Sequence, residues 1–303
     1  MMDDAKIFAG SANPDLAERV ARELGVKLGA CTTERFPDGE TSVRLDEPVR
    51  GREVFIVQPT APPVNENLME LLAFADSCRR ASAARITAIV PYFGYARSDK
   101  RDGQRVPVMA STVADLMQRV GIHHVITIDM HTPQLEGFFR VPVDELAAVN
   151  VLADALSERL PEGAVVVSPD VGRLAMATEF ARRLKTSVVV LEKKRESGMK
   201  TKVMHLVGDV RERPCLIIDD MISTGGTMRS SIEALLEAGA RPEIIIAATH
   251  GLMLKGAREK LNHESVRELF ITDTVQVIDK DWSQLRVVSV APLIAAAIRQ
   301  LKL

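Results

Sequence analysis

Cysteine is scarce in this chain. Cys31, Cys78 and Cys215 are the only three among 303 residues, and no two of them stand in the C-x-x-C spacing of a zinc knuckle or a dithiol redox pair. They are read as reduced thiols. Aromatic residues make up only 4%, with one Trp and two Tyr, which leaves few stacking platforms for single-stranded nucleic acid. Neither sign of charge is in useful excess: 39 basic against 41 acidic residues give a formal net charge of -2, so attraction for a polyanion or an anionic lipid would need a local patch. No apolar stretch approaches the roughly 18 residues of a membrane span. The best candidate, Ile244 to Ala248, is far too short. The amino terminus, Met1-Met2-Asp3-Asp4-Ala5, carries acid where a signal peptide carries base, and no apolar run of export length follows it. The expectation is a cytoplasmic protein with no nucleic-acid and no membrane partner.

What the chain does have is apolar periodicity. A composition of 46% hydrophobic and 26% charged residues suits one large core or two medium ones. Short β-branched runs alternate with amphipathic segments: Glu53 to Val57, then Leu68 to Arg80, then Arg85 to Val90. Val125 to Ile128, Ala164 to Val167, Val188 to Leu191 and Cys215 to Ile218 read as buried strands of a parallel sheet. A weak internal echo, a helix ending at Gly121 or Gly239 and a strand closing at His131 or His250, suggests two similar halves. The fold class is α/β, with domains at residues 1 to 146 and 147 to 303, each a mainly parallel sheet flanked by helices. No Gly/Ser linker or low-complexity tract separates them. In open α/β sheets ligands bind beyond the carboxyl ends of the strands, so the residues there are the first candidates for chemistry.

The most informative of these segments runs from Cys215 through Asp219-Asp220 and Ser223-Thr224-Gly225-Gly226-Thr227 into a helix. Glycines let backbone amides approach an anion, hydroxyls add donors, and a helix amino terminus adds partial positive charge. Two acids beside a phosphate make sense if they bind sugar hydroxyls or lie near a metal ion, which points to a sugar phosphate. The plainer alternative is an acidic helix entry in which Thr224 or Thr227 serves only as a cap.

This segment resembles the ribose 5-phosphate loop of the type I phosphoribosyltransferase fold. Four others narrow the resemblance to the ribose-phosphate pyrophosphokinase family, over essentially the whole chain. They are Arg35-Phe36-Pro37-Asp38-Gly39-Glu40, Pro91 to Lys100, Ile128 to Gln134, and Val167-Ser168-Pro169-Asp170. The resemblance implies two similar phosphoribosyltransferase-type domains and transfer of the β,γ-diphosphoryl group of ATP to the anomeric hydroxyl of ribose 5-phosphate, with Mg2+. No Walker loop occurs, so ATP has to be held by another constellation. By resemblance Phe36, Asp38 and Glu40 contact adenine from a neighbouring subunit, and Arg97, Asp99 and Lys100 complete the nucleotide site. Asp219, Asp220, Ser223, Thr224, Gly225, Gly226 and Thr227 bind ribose 5-phosphate. His131 lies near Mg2+ and the ATP phosphates, and Asp170 serves a second metal or the pyrophosphate end. The assembly implied is a hexamer built from dimers.

Two basic runs, Arg97 to Arg105 and Lys193 to Lys202, each follow a buried strand and carry a glycine, as a loop closing over ligand would. By resemblance Lys193 and Arg195 are catalytic and stabilise charge on the transferring group. Surface solubility is the plainer reading. His123, His124 and His250 read as structural, and Asp144 as a turn residue. The chain departs from the family pattern at Ser98, Ser223 and Gly225, and in Asp170-Val171-Gly172-Arg173, where a glycine pair after the aspartate is more usual. Leu303 follows the helix Pro292 to Gln300 closely, and the expectation is weakened allosteric inhibition by ADP. A phosphoribosyltransferase consuming phosphoribosyl pyrophosphate and a noncatalytic regulatory relative are the rival readings.

Overall fold

The structure, a computed structural model, describes residues 5–195, 202–278 and 281–301, with backbone only at 193–195 and 202–204. The chain divides into two compact units, Met1–Ala147 with Thr274–Gln276 and Ser289–Leu303, and Ala148–Asp273 with Val277–Val288.

The first unit comprises β1 (Ala5–Ala9), α1 (Pro14–Leu24), β2 (Cys31–Arg35), β3 (Thr41–Leu45), β4 (Glu53–Val57), α2 (Val64–Arg80), β5 (Arg85–Val90), α3 (Met109–Arg119), β6 (His124–Ile128) and β7 (Val143–Leu146). Its main sheet has the order β1-β4-β5-β6-β7, every pairing parallel. Helices cover the faces of such a sheet, so β4 presents Val54, Phe55, Ile56 and Val57 in succession, all fully buried. β2 and β3 form a separate antiparallel hairpin. Helix α1 shows why these segments are helical: the Asn13 side chain accepts from Leu16 N at 3.2 Å, Pro14 opens the first turn, and Gly25 closes the last at φ 71.

The second unit holds α4 (Val149–Ser157), β8 (Val165–Ser168), α5 (Leu174–Leu184), β9 (Ser187–Arg195), β10 (Lys202–Val207), β11 (Cys215–Ile222), α6 (Gly226–Glu237), β12 (Ile244–Gly251), α7 (Ala257–Leu261), β13 (Val266–Thr272) and β14 (Leu285–Val288). Its sheet order is β10-β9-β8-β11-β12-β13-β14, parallel except for the β9–β10 pair. From β8 the chain steps outward through β9 and β10, then returns to the other side of β8 and steps outward again from β11. That reversal opens a crevice at the carboxyl ends of β8 and β11. In the first unit the strands of the main sheet follow chain order without reversal.

One boundary differs from the sequence reading. Helix α8 (Ala291–Gln300), counted with the second half, belongs to the first unit. Its buried residues Ile294, Ala295 and Ile298 pack on α1, which buries Leu16, Ala17 and Val20, and Arg299 donates to the carbonyl of Glu23. Among the described residues no helix is long and apolar enough to cross a membrane.

Candidate active site

The crevice beside β8 and β11 is where the acidic and glycine-rich motif falls. β11 continues past its apolar run to Ile222, so Asp219 and Asp220 lie within the strand, where Asp219 pairs in register with Ala248 of β12. Both are buried, at 8% and 2% exposure. Burial, and then the charge of Asp220, pushes the Asp219 carboxyl up to about 8. The backbone N–H of Asp220 donates to Asp219 Oδ1 at 2.9 Å. Arg173 faces both acids, its Nε 3.6 Å from Asp219 Oδ1 and 3.4 Å from Asp220 Oδ1. It is carried by a 3-10 turn, Val171–Arg173, that follows β8 and is capped by Asp170, whose Oδ1 accepts from Arg173 N at 3.2 Å.

Beyond Ile222 the chain turns into α6 through Ser223, Thr224 and Gly225. Gly225 has φ 72, the left-handed region, and a Cβ built there would lie 3.3 Å from both Ala257 O and Leu261 Cγ. Glycine is therefore the residue this turn calls for. The turn is clamped from behind: Leu254 N donates to Ser223 O at 2.9 Å, and Lys260 Nζ donates to Thr224 O at 3.0 Å. Ser223 and Thr224 stand immediately before a twelve-residue helix and Thr227 in its first turn, and no side-chain hydrogen bond caps the helix amino terminus. Backbone donors, hydroxyls and the helix dipole converge on one place, which suits a phosphate.

In the first unit the structure brings two sequence motifs together. Asp99 is buried, and its Oδ2 accepts from Thr132 Oγ1 at 2.8 Å and from Gln134 Nε2 at 2.9 Å. The Arg97-to-Lys100 segment is thereby tied to the segment carrying half-buried His131. Arg97 lines a cavity of about 460 Å3 with Ser98, Tyr95, Tyr92, Asn65 and Val64. Lys100 is exposed and 3.4 Å from Asp102. Phe36, Asp38 and Glu40 occupy the exposed tip of the β2–β3 hairpin, where Phe36 N donates to Glu40 O at 2.8 Å and Gly39 N to Phe36 O at 2.9 Å. An ion pair between Arg35 and Glu66 of α2 fixes the base of that tip. Phe36 is 46% exposed. The backbones of Lys193 and Arg195 lie in β9, opposite Met204 and Lys202 of β10; their side chains lie outside the described residues.

Two of the histidines read as structural on sequence, His123 and His124, are accounted for by neighbours. Buried His124 places Nε2 3.1 Å from Asp144 Oδ2, and burial lowers its pKa. His123 Nδ1 accepts from Ile86 N at 3.2 Å. Sequence reading left two residues out of the site, Arg173 and Lys260. Arg173 was visible only as a departure from the family pattern, and nothing local marks Lys260, which reaches the loop from another helix.

Among the described residues no group of three His, Cys, Asp or Glu is gathered to hold a metal ion. The donors fit Mg2+ in the way that ion is commonly bound, by one or two carboxylates together with water and substrate phosphates. Asp170 offers a hard carboxylate oxygen at the crevice, and His131, the other residue expected at the metal, is half-buried.

Comparison with known proteins places this geometry. The N-terminal domain of ribose phosphate pyrophosphokinase matches residues 5–121, and the phosphoribosyl transferase domain matches residues 144–283. The ribose-phosphate pyrophosphokinase of Haemophilus influenzae is 44% identical over 305 aligned residues, covering 99% of this chain and 96% of that one. The enzyme of the same name from Rhodopirellula baltica is 45% identical over 304, with the same coverage. The crystal structure of phosphoribosylpyrophosphate synthetase from Mycobacterium smegmatis superposes with a TM-score of 0.93 at 40% identity, over 99% of each chain. With both halves matched in order, and relatives of one name aligned from end to end, the chain belongs to the ribose-phosphate pyrophosphokinase family.

Proposed function

We propose that this enzyme transfers the β,γ-diphosphoryl group of ATP to the anomeric hydroxyl of ribose 5-phosphate, giving phosphoribosyl pyrophosphate and AMP for nucleotide biosynthesis. The carrying observation is the crevice at the β8–β11 reversal, where two buried acids run directly into a glycine turn and a helix amino terminus. Ser223 to Thr227 hold the 5-phosphate, and Asp219 and Asp220 take the ribose hydroxyls. This leaves the anomeric oxygen free to attack the β-phosphorus. The bond from that phosphorus to the oxygen bridging to the α-phosphate breaks, AMP leaves with the bridging oxygen, and the hydroxyl proton is released to water.

In the nucleotide site Phe36, Asp38 and Glu40 recognise adenine, reaching a neighbouring subunit of a hexamer built from dimers. An exposed phenylalanine on a stiff hairpin tip supports that reading. Arg97 and Lys100 meet the phosphates, and Asp99 holds their loop against the His131 segment, so that His131 lies beside the metal-bound phosphates. Mg2+ neutralises triphosphate charge when bound, with Asp170 as a protein ligand. Lys193 and Arg195 stabilise the charge developing on the transferring group, where alignment and electrostatics carry most of the catalysis in phosphoryl transfer.

The test is an AMP-release assay with the full chain, Mg2+, ATP and ribose 5-phosphate. AMP should form only when the sugar phosphate is present, together with phosphoribosyl pyrophosphate. Lys193→Ala should reduce the rate on the order of 10²-fold. Pyrophosphate release that needs a nucleobase, with no AMP, would instead mark a phosphoribosyltransferase.

A further inference from the structure

The turn between β11 and α6 has three consecutive carbonyls, and one segment of the chain holds all three. Ile222 O accepts from Leu252 N at 2.9 Å and from Met253 N at 3.2 Å, Ser223 O from Leu254 N at 2.9 Å, and Thr224 O from Lys260 Nζ at 3.0 Å. A trans peptide is planar, with its N–H pointing opposite to its C=O. Each carbonyl drawn toward residues 252–260 therefore turns the next amide the other way. The amides of Ser223, Thr224 and Gly225 point away from that segment, and among the described residues those of Thr224 and Gly225 donate to no protein acceptor. They lead into the first amides of α6, which have no partner inside the helix.

The third link differs in kind from the other two. Backbone amides hold Ile222 and Ser223, and almost any residue supplies one, whereas Thr224 is held by a side chain. Its peptide also has a glycine on the far side: Gly225 sits at φ 72, and glycine tolerates either sense of that peptide. Flipped, the peptide would present its carbonyl oxygen to an anion in place of its N–H. An ammonium on the oxygen opposes the flip, and by polarising the peptide it makes the Gly225 N–H a stronger donor. Helix α7 brings the lysine to this point, with Ala257 and Leu261 buried and Leu261 Cγ 3.3 Å from where a Cβ on Gly225 would stand.

We infer that Lys260 is a positioning residue for the sugar phosphate, acting through the Thr224–Gly225 peptide so that the Gly225 amide faces the 5-phosphate. The inference rests on the ribose 5-phosphate reading above. Its effect falls on that substrate and not on ATP.

Steady-state kinetics of the full chain with Mg2+, ATP and ribose 5-phosphate, beside calorimetric titration with ribose 5-phosphate, test this on the wild type, Lys260→Met and Lys260→Arg. Lys260→Met keeps the apolar stem and removes the donor; it should raise KM for ribose 5-phosphate roughly five- to tenfold, with KM for ATP within about twofold of wild type. Binding of the sugar phosphate should weaken by a similar factor, and kcat should fall less than KM rises. Lys260→Arg keeps a charged donor and should lie between the two. The ratio of the methionine variant to wild type should be the same at about 50 and 500 mM KCl, because a contact hydrogen bond is screened far less than a charge acting across solvent. A ratio that collapses at high salt would show a distant charge effect and overturn the inference. So would an unchanged KM for ribose 5-phosphate, an equal rise in both KM values, or an arginine variant no better than methionine. A methionine variant that fails to fold would assign the lysine to stability and overturn it as well. A wild type that binds sugar phosphate and releases AMP, beside an unaffected variant, leaves the proposed function standing and removes only this inference. A wild type that does neither removes both.

Discussion

Gly225 concentrates the argument at the scale of single residues. Its φ of 72 and the 3.3 Å approach to Ala257 and Leu261 mean that Gly225→Ala both strains the backbone and crowds α7. The expected cost is about 1 kcal/mol or more, seen as a lower melting temperature, together with a higher KM for ribose 5-phosphate. Asp219 gives a second prediction. Its carboxyl is raised from 3.8 to about 8, so the folded protein keeps a proton that the unfolded chain has already released between those values. Stability contributed by that proton is full below the lower value and is lost as pH rises through the upper one. Asp219→Asn carries no such dependence. Its melting temperature relative to wild type should climb between about pH 5 and pH 8.5, measured without substrate, and a constant difference would reject the assignment. Residues of this loop were legible in the sequence because phosphate binding needs glycine, hydroxyls and a helix start in one contiguous stretch. Arg173 was not legible as a partner of the acids, because a salt bridge between two strand ends leaves no periodic trace.

Elements were legible where their burial is uniform. Each apolar run read as a parallel strand is one, because a strand covered on both faces cannot alternate. The β2–β3 hairpin was not read as strands, since its pattern is half-buried and polar and its pairing depends on a tight turn at Phe36 to Glu40. That turn makes the hairpin a rigid arm, and Phe36→Ala should raise the apparent KM for ATP by roughly tenfold while moving that for ribose 5-phosphate much less. Equal effects on both would count against an adenine contact. Helix α8 was recognised as a helix, yet its partner was not, because amphipathicity reports which face is buried and never against what. Ile298, fully buried there, gives the test: Ile298→Ala should cost about 2–4 kcal/mol and melt the first unit before the second, giving two transitions by calorimetry.

For the whole molecule, the family is carried by agreement along the entire length, with relatives of one name aligned over 99% of the chain. If the adenine contact comes from a neighbour, activity depends on assembly. Dilution should then lower specific activity in step with loss of the largest species in sedimentation, and an activity that is independent of concentration while subunits separate would remove the borrowed-loop reading. The placement of α8 also bears on how the protein comes into being. The second unit, Ala148–Asp273 with a short return, is inserted into the first, whose last piece is Ser289–Leu303. During synthesis the unit that starts second can be finished first. The earlier one must wait, with Leu16 and Val20 of α1 lacking their cover, on the order of ten seconds at bacterial or slower rates of elongation. A nascent chain halted at the boundary near Ala147 is therefore an incomplete unit that a chaperone has reason to hold, and the first domain of this enzyme is the last to be born.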